Sequence, residues 1–523
     1  MIAKIILAIF GDLCYHFSRF HIRRQTLMKK VIPIFLIVCI VLSLFLKVPE
    51  EGGGIQTVFS SVSQSSSNST DKQDDSWSPY TGPDSTYTYY YTVGSARAWE
   101  DDILAMVDTF LECHPYLTAE ESRVTRYDTI YGKGYYTDEY YDPELRAKFL
   151  QEINDLIPKL RDMDDVTVAY ELQRIVAMLK DGHACVQLPT SDIFPFLLTT
   201  IRKDNNTALH VVLCPKKHHT LLLAELIAIN GVPVEKIMED LLPYISCENL
   251  YWAESVMASP DNEEMLIWLD ALRVVGVIGA EEATATFDFI LKDGTPYTVE
   301  LEAITQAQHR NMTSVYTHYD TFLRYDSLHR GENYWYSYLL KEDLLYFRID
   351  TFHDDEEQSL RDMENAILGY VKSIGGVEKF VLDLRANMGG YNMTGYEELA
   401  NVLGRMDAGR IYVLMDSNSF SRSVITASIL KNSVDNLVLV GEPAGQPPNF
   451  FGNVYSYNCF NKKVSFSLAT DWIITMDQYP YDALMPDVIV YQTIEDYKQK
   501  RDAIMQYVIA DTVDGYEGKT PKS

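Results

Sequence analysis

The chain has 523 residues, of which 47% are hydrophobic and 23% are charged, and its formal net charge at pH 7 is −29. This length exceeds one ordinary domain, so two or three folded units are expected, and the composition excludes a wholly disordered chain. Because an acidic surface repels phosphate backbones, we expect no nucleic-acid partner.

The seven cysteines are thinly spread along the chain, and none forms a C-x-x-C pair. A disulfide framework or a cysteine zinc site therefore finds no support, and scattered buried thiols are the simpler interpretation. H-E-x-x-H, P-loop and G-x-S-x-G motifs are also missing from the sequence. It thus carries no familiar signature of a metal site, a nucleotide site or an α/β-hydrolase nucleophile.

Residues 31–48 form an apolar segment in which Lys47 is the only charged residue. Its length is borderline for crossing a bilayer and long for a signal-peptide core. Four basic residues precede it, and by the positive-inside rule they stay in the cytoplasm and send the rest of the chain outside. No small-x-small cleavage site follows, so residues 1–48 are predicted to be a cytoplasmic start and a single-pass anchor in the cell membrane. Cleavage of the segment would instead give a secreted protein. The four basic residues are Arg23, Arg24, Lys29 and Lys30.

Residues 49–95 are rich in Ser, Thr, Gly and Asp. Such a stretch buries too little apolar surface to offset the entropy lost on ordering it, so it is predicted to be a flexible linker. The true start of the chain stays open between Met1 and Met28, because Met28 and the two lysines after it would also begin a signal segment.

Helical patterns dominate the first part of the body, at residues 99–111, 143–160 and 166–180. Over the last of these stretches, apolar residues repeat at i, i+3, i+4 and i+7, which gives one apolar face. Gly182 then stands where a glycine helix cap is expected. Residues 96–190 are therefore predicted to be a helical unit.

Strand patterns replace the helical ones from residue 191 to residue 310. Residues 210–214 and 284–291 either alternate apolar and polar side chains or form a continuous apolar stretch, as strands do. Between them, residues 225–241 predict a strand, an Asn-Gly turn at Asn230 and Gly231, and then a helix. This part is predicted to be a mixed β region.

From residue 311 to residue 523, short apolar strands alternate with helical segments. The candidate strands are residues 344–350, 380–384, 411–415 and 437–441. This alternation is typical of an α/β core with a partly parallel sheet. Functional groups are then expected at the strand ends, where loops lead into helices.

The first segment that could take part in catalysis is Asp383–Gly390, where a strand is followed by a polar loop that ends in Gly389 and Gly390. Two successive glycines free backbone N–H groups to point at one place, which is how an oxyanion receives hydrogen bonds. An ordinary strand-to-helix turn would look the same, so this segment alone decides nothing.

The second segment is Asp416–Ser423, which follows one strand and opens a helix, with serines at 417, 419, 421 and 423. A serine at a helix N-terminus lies in the positive electrostatic potential of the helix dipole, which stabilises negative charge that develops nearby. The simpler alternative is that one of these serines is only an N-cap.

Together, in this order and at this spacing, the two segments resemble the tail-specific (C-terminal processing) and tricorn-core serine peptidases. That family shows D-L-R-x-N-x-G-G, then S-A-S-A-S-E at a helix start, then G-E-P-T-x-G, to which Gly441–Gly445 is similar. The D-G-H of Asp181–His183, the I-N-G-x-P-V of Ile229–Val234 and the P-D-V of Pro486–Val488 are further likenesses.

The resemblance implies a multidomain α/β chain with a helical unit, a PDZ-like region at 191–310 and a ClpP/crotonase-like catalytic core at 311–523. It implies a serine-type endopeptidase that acts on peptides or unfolded proteins outside the cytoplasm, with no cofactor and no metal required. Its nucleophile falls on Ser421, and its oxyanion donors fall on Gly389 or Gly390 together with the amide of Arg422.

The catalytic base is predicted to be His183. Tail-specific proteases proper use a lysine where this chain has Pro447, which cannot accept a proton. The tricorn-like branch uses the histidine of its D-G-H motif, and an imidazole suits the activation of a hydroxyl near neutral pH. An acid shortly before Pro486 is expected to orient the imidazole, and both Asp477 and Asp482 are candidates.

Two other functions stay open from the sequence. One is a catalytically inactive relative that binds peptides in the same cleft, and the other is an esterase or amidase that acts on small cell-wall compounds. Cleavage preference and oligomeric state also stay open. The peptidase hypothesis requires that folding carries the imidazole of His183 to the hydroxyl of Ser421.

Overall fold

A computed structural model of the chain describes residues 95–127, 132–203, 206–317 and 327–513. The predicted membrane anchor at 31–48, both candidate start sites and residues 49–94 of the predicted linker lie outside the described residues. Inside the described ranges, no helix combines the length and the apolar character that crossing a membrane requires.

The strands of the described chain are β1 (Ser122–Arg126), β2 (Lys133–Thr137), β3 (Cys185–Val186), β4 (Leu197–Lys203), β5 (Asn206–Pro215), β6 (Glu225–Ile229), β7 (Val232–Pro233), β8 (Thr284–Ile290), β9 (Pro296–Glu302), β10 (Ser314–Tyr316), β11 (Tyr334–Leu339), β12 (Leu344–Ile349), β13 (Val377–Asp383), β14 (Ala408–Met415), β15 (Leu437–Gly441), β16 (Asn449–Asn458), β17 (Ser465–Ile474) and β18 (Val488–Ile489). The α-helices are α1 (Ser95–Cys113), α2 (Pro143–Leu156), α3 (Asp165–Ala177), α4 (Val234–Leu241), α5 (Leu250–Ala258), α6 (Leu269–Val274), α7 (Gln306–Arg310), α8 (Leu360–Ile374), α9 (Leu399–Gly404), α10 (Arg422–Ser433), α11 (Ile494–Gln499) and α12 (Ala503–Ala510).

Helices α1, α2 and α3 confirm the helical patterns of the first part of the body. Asp142 begins α2 by accepting the backbone N–H groups of Glu144 and Leu145, and Pro143 fits the first helical position, where no N–H is needed. Asp164 caps α3 in the same way. The apolar faces of the three helices pack into one core.

The predicted helix cap at Gly182 was wrong. Helix α3 ends at Ala177, and the residue with a left-handed backbone after it is Lys180, with φ 51°. A Cβ on Gly182 would lie 2.7 Å from Oε2 of Glu248 and 2.8 Å from Cζ of Phe420. Glycine is required there because two distant segments approach the backbone closely.

The strand-rich region forms a seven-stranded antiparallel sheet in the order β10-β5-β6-β8-β9, with β4 beside β5 and β7 beside β6. Asn230 and Gly231 both have positive φ, 49° and 75°, which gives the predicted tight turn between β6 and β7. The strand, turn and helix predicted for this stretch are confirmed.

The last region forms a six-stranded sheet in the order β11-β12-β13-β14-β15-β18. Within this sheet, β12, β13, β14, β15 and β18 pair in parallel, and only β11 pairs antiparallel. Every residue of β12 is buried, as expected for a parallel strand covered on both faces. The predicted α/β class with a partly parallel sheet is confirmed.

A third sheet combines strands from the first and the last regions of the described chain. Its order is β16-β17-β1-β2, with β3 also beside β17. The pairing of Cys185 with Ser467 carries the segment that follows α3 onto the last region of the chain. Residues predicted as a helical unit therefore share a sheet with the predicted core, and the limits of the individual domains stay a prediction.

Candidate active site

Three loops meet at the carboxyl ends of the neighbouring parallel strands β13, β14 and β15. Register pairs Asp383 with Leu414 on the first two strands and Met415 with Gly441 on the next two. Each strand runs directly into one of the three motifs found in the sequence. Because the carboxyl ends of parallel strands share one edge of a sheet, this topology gathers the motifs at one place.

The charged residues of the first motif anchor its loop. Arg385 is buried and bonds Asp383 at 2.6 Å and Asp502 at 2.8 Å. Burial alone would raise the pKa of Asp383, but the charges of Arg385 and Arg348 hold it well below its usual range. Asp383 and Arg385 therefore form an ionised, buried pair that fixes the start of the loop.

Asn387 shapes the glycine end of the same loop. Its Nδ2 donates to the carbonyl of Ile349 at 2.9 Å, and its Oδ1 accepts the N–H of Gly389 at 2.7 Å. Gly389 and Gly390 have φ of 100° and 136°, a conformation that L side chains rarely adopt. The Gly389 amide is thus committed to Asn387, whereas the Gly390 amide donates no hydrogen bond to any described residue.

Ser421 immediately precedes α10 but does not cap it. Its backbone has φ 54° and ψ −120°, and its side chain makes no hydrogen bond to the helix. The interpretation of Ser421 as an ordinary N-cap therefore fails. Strained backbone of this kind costs roughly 1–3 kcal/mol and persists only where the surroundings enforce it. Here the Ser421 N–H donates to Oε1 of Gln446 at 2.7 Å.

The other serines of this segment differ from Ser421 in burial. Ser417, Ser419 and Ser423 are 6%, 2% and 1% exposed, respectively, whereas Ser421 is only partly buried. The Ser419 hydroxyl also donates to the carbonyl of Leu384 at 2.9 Å, which is a structural role. Of these four serines, Ser421 is thus the one that is not fully buried.

Backbone amides surround the position beside Ser421. A Cβ on Gly389 would lie 2.8 Å from the Arg422 nitrogen and 2.9 Å from Cβ of Ser421. The Arg422 amide, at the first turn of α10, donates to no described residue. The Arg422 guanidinium lies 5.1 Å from the ring of Tyr396 and 5.8 Å from that of Tyr127, which holds the helix start in place.

The ring of His183 lies against the residue that precedes Ser421. The ring centroids of His183 and Phe420 are 4.7 Å apart, and Phe450 lies on the ring at 5.9 Å. The carbonyl of His183 accepts a hydrogen bond from Ser467 at 2.7 Å. Two segments far apart in the sequence, each carrying one predicted catalytic residue, are thus brought into contact.

Asp181 lies beneath this imidazole and is fully buried. Its Oδ1 accepts a hydrogen bond from the backbone N–H of His183 at 2.9 Å and lies 3.6 Å from the ring Nδ1 of the same residue. Its Oδ2 lies 3.4 Å from Nε2 of His114. Burial would raise the pKa of Asp181, but His114 and His183 together lower it to about 2. Asp181 is therefore a carboxylate placed between two imidazoles.

Glu248 and Gln446 connect this cluster to the loop that carries Ser421. Gln446 Nε2 donates to Oε1 of Glu248 at 2.7 Å, and Gln446 Oε1 accepts the Ser421 N–H. Burial and the charge of Asp181 raise the pKa of Glu248 to about 8. Two neighbouring carboxyls with pKa values pushed in opposite directions are typical of a functional site.

The acids that the sequence offered as orienting residues lie elsewhere. Asp477 forms an exposed ion pair with Arg126 at 2.6 Å. The backbone carbonyl of Asp482 accepts a hydrogen bond from Asn249 at 2.9 Å. Asp181 was missed because the orienting acid was expected shortly before Pro486, although Asp181 belongs to the D-G-H motif itself. No sequence signal marked Glu248.

A cavity of about 490 Å³ opens beside the cluster. Gly182 and Met388, the neighbours of His183 and Gly389, lie in its wall, and Met388 is 40% exposed. Trp252, which stacks on Phe420 with ring centroids 4.0 Å apart, lines it as well. The remaining lining includes the apolar side chains of Leu188, Met265 and Trp268.

No family model matches the sequence, and no curated protein matches it. Solved structures are similar to the chain. Mature CPAF complexed with lactacystin is 14% identical, with a TM-score of 0.51 over 79% of this chain and 97% of that one. A second structure of mature CPAF is 13% identical, with a TM-score of 0.50 over 79% and 96% of the two chains. The photosystem II D1 C-terminal processing protease is 11% identical, with a TM-score of 0.36 over 79% and 98%.

What the chain shares with mature CPAF at this identity is the fold, which extends over nearly the whole of that chain. The mixed α/β architecture that the motifs predicted is confirmed by this likeness. The chain has the fold of mature CPAF.

Proposed function

We propose that the chain is a serine endopeptidase that cleaves peptides or unfolded proteins through an acyl-enzyme on Ser421, with His183 as general base. One observation carries the proposal. Ser421 stands on a strained, non-capping turn, and the residue before it packs on the ring of His183. A hydroxyl is a poor nucleophile at its free pKa, so a base beside it is required.

The proposed reaction begins when the Ser421 oxygen attacks the carbonyl carbon of a peptide bond and its proton passes to His183. The tetrahedral intermediate then expels the amine, which takes the proton from His183. Water attacks the resulting ester with His183 again as the base, and the carboxylic acid leaves Ser421. Ser421 and His183 are thus restored after each turnover.

The oxyanion of the intermediate would bind to the amides of Arg422 and Gly390. Both amides lack a partner among the described residues, whereas the Gly389 amide is held by Asn387. The contribution of Gly389 would be its missing side chain, because a Cβ there would lie 2.8 Å from the Arg422 nitrogen. Preorganised amides of this kind are commonly a large part of catalysis in acyl transfer.

Asp181 is proposed as the acid that orients His183, in place of Asp477 or Asp482. It is an ionised carboxylate 3.6 Å from His183 Nδ1, so it favours a proton on that nitrogen and leaves Nε2 to accept the serine proton. Neither ring nitrogen of His183 has a hydrogen-bond partner among the described residues. The proposal therefore includes formation of the Ser421–His183 hydrogen bond when substrate binds.

The cavity beside the cluster supports a peptide with an apolar side chain next to the cleaved bond. Its wall begins at the neighbours of His183 and Gly389 and continues over apolar side chains. The proposed setting is outside the cytoplasm, on a chain anchored by residues 31–48. This setting is supported by the order of the basic and apolar segments at the start of the sequence.

A peptide-binding protein without catalysis is the second candidate function. The unpaired and buried nitrogens of His183 favour it, since the base does not hydrogen-bond the nucleophile in this conformation. Such a protein would use the same cavity and the same oxyanion amides to hold a peptide carbonyl.

Fluorophosphonate labelling of the full chain tests the proposal. We expect labelling that Ser421→Ala abolishes and that the matched variant Ser423→Ala keeps, since the Ser423 hydroxyl is buried in α10. Cleavage of a peptide library but not of small esters would assign the activity to peptides. No labelling of the folded chain, together with peptide binding, would replace the peptidase by the binding protein.

A further inference from the structure

Asp181, His183 and Glu248 form a compact group of metal-binding side chains. One donor atom from each lies within 4.8 Å of the others. Asp181 and His183 come from the loop after α3, and Glu248 comes from the segment just before α5. Carboxylate oxygen and imidazole nitrogen are ligands that zinc prefers, and three protein ligands are enough for a zinc ion that also binds water.

Several polar atoms of this group have no hydrogen-bond partner. Both ring nitrogens of His183 and Oε2 of Glu248 are buried without such a partner among the described residues, whereas Oδ2 of Asp181 lies 3.4 Å from Nε2 of His114. The His183 side chain is only 8% exposed, and that of Asp181 is 0% exposed. Burying polar atoms without partners is costly, so several such atoms converging on one place point to a ligand that would satisfy them.

We propose that Asp181, His183 and Glu248 bind Zn²⁺, and that the bound ion inhibits the peptidase reaction. Asp181 Oδ1 and His183 Nδ1 are 3.6 Å apart. Ligand atoms about 2.0–2.1 Å from a tetrahedral zinc ion stand roughly 3.3 Å apart, so this pair needs only a small adjustment. The Glu248 oxygen, within 4.8 Å of the other two atoms, would move closer when the ion binds. Calcium and magnesium prefer six or more oxygen ligands, which this group does not offer.

Neighbouring side chains already hold the two carboxylates in place. Oε1 of Glu248 accepts a hydrogen bond from Gln446, which leaves Oε2 for the ion. Asp181 is held by the His183 N–H and lies beside His114. His114 Nδ1 accepts the N–H of Tyr116, so its Nε2 carries a proton towards Asp181. Partners of this kind orient ligands and strengthen metal binding.

Inhibition follows from the tautomer that the ion would impose on His183. With zinc on Nδ1 the imidazole carries its proton on Nε2, so Nε2 has no lone pair to accept the serine proton, and the ion would also take away the Asp181 carboxylate that orients the ring. This consequence depends on the proposed function, because it concerns the step in which His183 acts as the base. Binding of zinc itself does not depend on it.

Direct binding of Zn²⁺ and Co²⁺ to the full chain tests the site. Zinc affinity would be measured by competition with a chromophoric chelator on the Ser421→Ala protein, and Co²⁺ would report four-coordinate binding by its visible absorption. We expect Glu248→Gln and His183→Gln to weaken zinc binding roughly tenfold or more. The matched controls Glu263→Gln and His218→Gln, which lie outside the group, would leave it unchanged.

Comparison of binding with hydrolysis separates the two proposals. If the chain cleaves peptides, zinc should inhibit it, and Glu248→Gln should require roughly tenfold more zinc for the same inhibition. If zinc binding depends on Glu248 but the chain does not hydrolyse peptides, the zinc-site proposal is supported and the peptidase proposal is contradicted. Equal zinc affinity in the original protein and in folded Glu248→Gln and His183→Gln would overturn the site, whatever the hydrolysis assay gives.

Discussion

The rings of His183 and Phe420 pack with their centroids 4.7 Å apart, and Phe420 also stacks on Trp252 at 4.0 Å. Phe420 therefore links three distant segments of the chain: the loop after α3, helix α5 and the turn that carries Ser421. Its side chain is only 4% exposed. Phe420 thus helps to set the position of Ser421 relative to His183, together with the link through Gln446 and Glu248.

Replacing Phe420 with leucine should lower kcat more than it raises KM. Leucine keeps the site apolar but removes the flat surface on which the imidazole and Trp252 rest. Because a displacement of about 1 Å between reacting groups costs up to roughly 100-fold in rate, we expect a loss of 10- to 100-fold. Steady-state kinetics on peptide substrates would measure it. Unchanged kcat in the folded variant would contradict a positioning role for Phe420.

Glu364 on α8 should make the stability of the chain fall as the pH rises. Its side chain is 3% exposed, and burial together with the charge of Glu398 raises its pKa to about 8. Arg361 opposes this effect and Glu397 adds to it. A carboxyl whose pKa is higher in the folded state binds more protons there, so its contribution is complete below about pH 4.5 and is lost as the pH passes through 8.

Glu364→Gln should therefore reduce the decline in the free energy of unfolding between pH 6 and pH 9. Urea denaturation at the two pH values would measure this free energy. Glu356→Gln, at an exposed position, is the matched control and should follow the original protein. Identical declines in all three proteins would show that Glu364 does not titrate in this range.

The gathering of the three motifs at one edge of the sheet could be predicted from the sequence because each motif directly follows its own strand. Each of β13, β14 and β15 leads into one motif: Asp383–Gly390, the serine segment and Gly441–Gly445, respectively. Because these strands are parallel neighbours, their carboxyl ends bring the three motifs together at one edge of the sheet. The φ of Ser421 could not be predicted, since it depends on a hydrogen bond to Gln446. Local sequence thus specified the loops but not the strain within them.

Contacts between distant segments explain what the sequence missed. Gly182 looked like a helix cap, but its role is to let Glu248 and Phe420 approach, and neither neighbour is visible in the local sequence. Asp181 was open to view beside His183. Its burial against His114 could not be predicted, because it depends on the packing of α1 against the loop after α3.

Asp181→Asn should lower the kcat of the proposed enzyme more than the same change at Asp477 or Asp482, the two acids that the sequence suggested. Asparagine keeps the shape but removes the charge beside His183 Nδ1. Serine peptidases lose roughly 10³- to 10⁴-fold in kcat when the acid of the triad is changed in this way. Asp477→Asn and Asp482→Asn should each retain most of the activity. Kinetics of the three variants, corrected for the folded fraction, decide the order, and a larger loss in Asp482→Asn would reassign the role.

Gly389→Ala should strongly reduce hydrolysis while the chain still folds. At φ 100° an alanine is strained, which costs roughly 1–3 kcal/mol of stability. Its Cβ would lie 2.8 Å from the Arg422 nitrogen, so it would fill the space where the oxyanion receives its hydrogen bond. Loss of one such donor costs roughly 100- to 1000-fold in kcat, and KM should change little because the donor acts mainly on the transition state.

Gly369→Ala in α8 is the matched control, since a Cβ there meets no atom within 4 Å and alanine favours a helix. That variant should keep full activity and gain slightly in stability. A Gly389→Ala protein with the kcat of the Gly369→Ala protein would exclude the Arg422 amide from the oxyanion site.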